Sequence, residues 1–210
     1  MKKMSNYTYE FENKRAKLET YEWDNVWWEQ TGKTNVPRAL YIGDSISCGT
    51  RKIATSLSKG EMLFDGFGTS KALDNPYYTE ALSLFARQQG EREVILFNNG
   101  LHGWHLDDNE QYPELYESVV EFLLKEFKNT PVAIVLTTSV ADKEREKRVR
   151  LRNRAASEIA ERYGLKVIDL YSVSLEYVEY RKEDGVHFTP DGYTKLAERI
   201  VSDVKNLLNK

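Results

Sequence analysis

A chain of 210 residues amounts to one ordinary domain, long enough to close a hydrophobic core without disulfide or metal staples. Hydrophobic residues at 40%, charged residues at 30% and a mean hydropathy of −0.61 exclude a disordered chain and fit a soluble globular one. Thirty Lys and Arg against 33 Asp and Glu argue against wholesale nucleic-acid binding, and the single cysteine, Cys48, excludes an internal disulfide or multi-cysteine zinc site.

At the N-terminus, Lys2 and Lys3 have no apolar stretch behind them, and no run approaches a membrane span. The expectation is a cytoplasmic protein without a membrane partner. Residues 1–37 are expected to form an aromatic-rich extension packed on a domain spanning 38–210. Within the extension, Tyr21 to Trp28 carries three of the four tryptophans. It reads as a leading helix with its aromatic face on the domain; the functional alternative sets one Trp on the wall of a substrate cleft.

From residue 38 onward, short apolar runs alternate with longer amphipathic stretches. The runs are Ala39 to Ile42, Met62 to Phe64, Val94 to Phe97, Val132 to Leu136 and Val167 to Leu170. Each is apolar on both parities, as a strand buried on two faces is. Helices are expected roughly over Ile46 to Ser58, Asn75 to Gln89, Pro113 to Phe127 and Lys143 to Tyr163. A last one starts at Thr189-Pro190-Asp191, with Thr as N-cap and Pro as the first helical residue. The alternation predicts an α/β/α sandwich on a five-stranded parallel sheet, with any chemistry beyond the carboxyl ends of the strands.

After the first strand stands Gly43-Asp44-Ser45-Ile46-Ser47. A serine in a tight strand-to-helix turn presents its hydroxyl beside backbone N–H groups, which suits a nucleophile and an oxyanion hole; it also suits a plain helix N-cap. The glycines and lysine of a dinucleotide fingerprint or a P-loop are missing. Near the other end, Asp184-Gly185-Val186-His187-Phe188 sets Asp and His three residues apart in a turn. There the carboxylate can fix the imidazole tautomer. Asp191 is the competing carboxylate, but its place suits a helix start.

These paired motifs resemble those of the SGNH, or GDSL, hydrolases over roughly Arg38 to the C-terminus. The resemblance implies a flavodoxin-like sandwich and ester hydrolysis, with Ser45 as nucleophile, His187 as base and Asp184 as its orienting partner. It implies no cofactor and no metal. For the oxyanion it implies the Ser45 N–H and a glycine N–H after the second strand: Gly68, with Gly66 as rival. The third block, Asn98-Asn99-Gly100-Leu101-His102-Gly103-Trp104-His105, sets His102 where the family usually has Asn. His102 is then the side-chain donor, with Asn99 as fallback, and Asn99 and Trp104 are assigned to substrate contact. The implied substrate is a small-molecule ester, an acetylated oligosaccharide above others. The rivals are a lipid-directed esterase or thioesterase and a non-catalytic binding module.

Three further features have plainer readings. The three histidines could suggest a metal, but Gly100 and Gly103 put two of them in a loop. Cys48 reads as a buried, inert thiol. The basic run Lys143 to Arg154, interspersed with glutamates, reads as a solvated helix of which part could contact an anionic substrate.

Overall fold

The computed structural model describes residues 18–19, 21–108 and 110–208. Its sheet has six strands: β1 (Asp24–Trp27), β2 (Arg38–Gly43), β3 (Leu63–Thr69), β4 (Val94–Phe97), β5 (Val132–Val135) and β6 (Lys166–Ile168). Their order is β1-β3-β2-β4-β5-β6. The last five are parallel, and β1 runs antiparallel on β3. The helices are α1 (Ser45–Leu57), α2 (Tyr78–Gln89), α3 (His105–Asp108), α4 (Tyr112–Glu126), α5 (Lys143–Arg162), α6 (Leu170–Glu176) and α7 (Pro190–Leu207).

Alternation along each strand builds two cores. Leu40, Ile42, Ile95, Phe97 and Ile134 face α2 and α4. Ala39, Tyr41, Val94, Leu96 and Val135 face α1, α6 and α7. Helix α5 serves both, with Ile159 and Ala160 in the first core and Val149 in the second. Each large aliphatic or aromatic side chain so buried contributes about 1.5–3 kcal/mol. The strand order reverses between β2 and β4, and beyond their carboxyl ends lies the crevice where such sheets bind ligands.

Two expectations need correction. The segment Tyr21 to Trp28 is not a helix: residues 24–27 form β1, and all four are exposed. Asp24 accepts a hydrogen bond from the Thr69 hydroxyl, and the Arg51 guanidinium from α1 binds the Asn25 carbonyl. These cross-links hold the segment extended, and Trp27 and Trp28 lie over Lys52 and Arg38, not in the core. Residues 1–17 of the expected extension lie outside the described residues. Second, the strand begun at Met62–Phe64 runs on to Thr69. Gly66 and Gly68 hide it from propensity, yet Arg51 and Cys48 fill the space a side chain would take.

Candidate active site

The site begins at the turn from β2 to α1. Asp44 is the N-cap of α1, its Oδ1 accepting from the Ile46 N–H at 2.8 Å. Ser45 is therefore not the cap but the first helical residue, and its hydroxyl is left for other work. Its N–H is one of the first-turn donors that a helix leaves without an intrahelical partner. Asp44 is deeply buried, which pushes its carboxyl up, and its Oδ2 has no hydrogen-bond partner among the described residues.

Ser45 Oγ lies 2.8 Å from His187 Nε2, and His187 Nδ1 lies 2.9 Å from Asp184 Oδ2. The turn that presents His187 is closed by an antiparallel bridge between Arg181 and Phe188 and by the Lys182 N–H donating to the His187 carbonyl at 2.8 Å. Gly185 takes the left-handed φ of 74° that the turn requires. Asp184 Oδ1 accepts from the N–H groups of Val186 (2.9 Å) and His187 (2.8 Å). These main-chain bonds, with the His187 ring, hold the Asp184 carboxyl at about 2. Asp191 stands exposed in the first turn of α7.

A cleft of about 630 Å³ opens over Ser45 and His187, and Trp23 and Trp104 line it with Leu101, Val140 and Val186. A larger hollow of about 880 Å³ lies at the amino ends of the strands, around Trp28, Arg38, Arg92 and Pro131. It contains no such serine–imidazole–carboxylate chain.

No protein-family model and no curated protein matches the chain. Solved structures do. A lipase/acylhydrolase from Enterococcus faecalis superposes with a TM-score of 0.67 at 20% identity, covering 82% of this chain and 97% of its own. An acetyl xylan esterase gives 0.63 at 17% identity, covering 80% and 99%. A member of the lipolytic G-D-S-L family from Veillonella parvula gives 0.63 at 20% identity, covering 80% and 97%. The chain has the SGNH hydrolase fold.

The glycine expected after the second strand and Asn99 of the third block are placed differently from the sequence expectation. Gly68 is not in a loop after the second strand: it lies inside β3, laddered to Asn25 on one side and Gly43 on the other. Its lack of a side chain makes room for Cys48, whose thiol burial pushes up. Neither Gly68 nor Gly66 lines the cleft. Asn99 does not line it either: it is buried, its amide donating to the Lys71 carbonyl at 3.3 Å. His102 and Trp104 do line the cleft.

His102 Nδ1 lies 2.8 Å from Glu19 Oε1, and Trp23 packs edge-on against its ring with centroids 5.9 Å apart. His105 turns away to Asp74, 2.9 Å from its Nε2. No group of three or more His, Cys, Asp or Glu among the described residues is placed to hold a metal ion.

Sequence reasoning missed Arg152. Taken as part of a solvated helix, it is 2% exposed. Its guanidinium donates to the carbonyls of Gly100 (3.2 Å), His102 (2.6 Å) and Gly103 (2.8 Å) and makes a two-pronged pair with Asp107. It lies between the Trp104 and Tyr112 rings, 4.5 and 4.2 Å from their centroids. One side chain thus clamps the loop that carries His102 and Trp104.

Proposed function

We propose that the protein is a serine esterase of the SGNH/GDSL type that hydrolyses short-chain acyl esters, with acetyl groups on carbohydrates as its substrate class. The observation that carries this reading is the unbroken hydrogen-bonded chain from Ser45 through His187 to Asp184 at the floor of an open cleft.

His187 Nε2 takes the proton of the Ser45 hydroxyl as Oγ adds to the acyl carbonyl. The carbonyl oxygen becomes an oxyanion, held by the Ser45 N–H at the α1 N-terminus and by His102. His187 returns its proton to the alkoxide as the ester bond breaks, leaving an acyl group on Ser45. A water molecule, deprotonated by His187, adds to the acyl carbon; collapse releases the acid and restores the Ser45 hydroxyl. Throughout, Asp184 keeps the imidazole proton on Nδ1 and stabilises the imidazolium.

Support for the substrate class comes from the two tryptophans lining the cleft, whose flat faces suit sugar rings, and from the likeness to a structure named as an acetyl xylan esterase. The aliphatic side chains of Leu101, Val140 and Val186 suit a short acyl group. A hydrolysis screen of acetylated oligosaccharides beside nitrophenyl esters of graded chain length tests the reading. Preference for long acyl chains would transfer it to a lipid-directed esterase. A fluorophosphonate probe that fails to label Ser45 would leave a non-catalytic binding module.

A further inference from the structure

His102 and Glu19 are 83 residues apart in the sequence, yet they share a hydrogen bond inside the cleft. A carboxylate only accepts, so the proton of this bond sits on Nδ1. A neutral imidazole with its proton on Nδ1 offers Nε2 as an acceptor. To donate from Nε2 to an oxyanion, the ring must carry both protons.

We propose that Glu19 is a positioning residue that holds His102 as an imidazolium facing the cleft, so that the stretch ahead of the first parallel strand completes the oxyanion site. The inference rests on the esterase reading above. The segment is anchored for this purpose: the Glu22 carboxylate accepts from the Glu19 N–H (3.0 Å) and the Ser70 hydroxyl (3.0 Å), and the Trp23 N–H donates to Ser70 Oγ (2.8 Å). Glu19, Glu22 and Asp44 bring negative charge to the ring. Arg145, which shares the cleft, and Arg152 on the His102 carbonyl bring positive charge, and His187 adds to it only after taking the Ser45 proton. Burial works against the charged ring, but the Glu19 hydrogen bond and the Asp44 charge outweigh it, and the balance lies above the ordinary histidine value.

The chain has only three histidines, so imidazole NMR resolves each titration in the whole protein. Glu19→Gln should lower the His102 midpoint by about one pH unit or more. In the same variant the alkaline limb of kcat should move to lower pH, with KM little changed, because protonated His102 is needed only as charge develops. An unmoved His102 midpoint in a folded Glu19→Gln protein overturns the proposal. So does a moved midpoint with an unmoved alkaline limb. If the wild-type protein turns over no ester at all, the esterase reading fails and the oxyanion role with it, while the titration still decides whether Glu19 holds His102.

Discussion

Gly49 of α1 lies so close to Tyr193 of α7 that any side chain at the glycine would collide with the tyrosine ring. Ser45 heads the first of these helices and His187 stands three residues ahead of the second, so the spacing of the two helices bears on the approach of hydroxyl and imidazole. Gly→Ala in a helix interior ordinarily stabilises by about 1 kcal/mol. Here overpacking costs about 1–3 kcal/mol, and Gly49→Ala should come out destabilising. Chemical denaturation reads the sign, and slower fluorophosphonate labelling of Ser45 reads the altered approach of α7. A stabilised, normally labelled variant would separate the helix contact from the site.

Ser45→Ala and His187→Ala should each lower kcat on an activated acetyl ester by about 10⁴-fold or more, with circular dichroism unchanged. Asp184→Asn should be damaging too, and far more so than Asp191→Asn, because only Asp184 reaches the His187 ring. The reverse ranking would move the orienting role to Asp191.

His102→Ala should cost about 10²- to 10³-fold, falling mainly on kcat. His102→Asn supplies an uncharged donor and should recover part of that loss. His105→Ala should matter little, since its ring is taken up with Asp74 outside the cleft. An active His102→Ala enzyme would refute the donor assignment.

Arg152→Met takes the guanidinium away from three carbonyls and from Asp107, which among the described residues keeps only Arg148 at 3.6 Å. It should cost about 3–5 kcal/mol, the usual penalty for breaking a buried pair, and lower kcat through the loosened 100–107 loop. Arg152→Lys restores charge but not the planar fork, and should recover only part of either loss. Thermal melts beside kinetics test both statements. Full stability in Arg152→Met would show that the clamp is idle.

The Asp184 carboxyl, held at about 2, stays ionised across the neutral range. A depressed carboxyl stabilises the fold above its unfolded value of about 3.9, and that share is lost as pH falls toward 2. Asp184 should therefore add nothing to the acid limb of kcat/KM between pH 4 and 6. Carboxyl-carbon NMR that finds Asp184 taking up its proton in that range would overturn this.

β2, β4 and β5 were legible because their runs are apolar on both faces, whereas β3 was legible only at its start and β6 only over Val167–Ile168. Ser45, Asp184 and His187 were legible as candidates because each motif is local: a three-residue turn at one end and a four-residue turn at the other. Asp24–Trp27 was not, since an exposed edge strand has no apolar alternation to reveal it. Nor was Arg152, whose burial is made by carbonyls some 50 residues earlier, so that its neighbours on the helix disclose only the solvated face. The Glu19–His102 pair is longer-range still. Gly68 misled for the opposite reason: a glycine reads as a loop, whereas here it is a strand residue under a thiol.

Because β1 flanks β3, the seven wholly buried residues Leu63–Thr69 belong to an interior strand. The outermost ribbon is instead four residues long, carries Asp24 and Asn25, and has a lysine ammonium seated over Trp27. Short, polar and charged borders resist pairing with a neighbouring chain, whereas a long apolar one invites it. The first described strand therefore covers the long buried edge that β3 would otherwise present to a neighbouring chain.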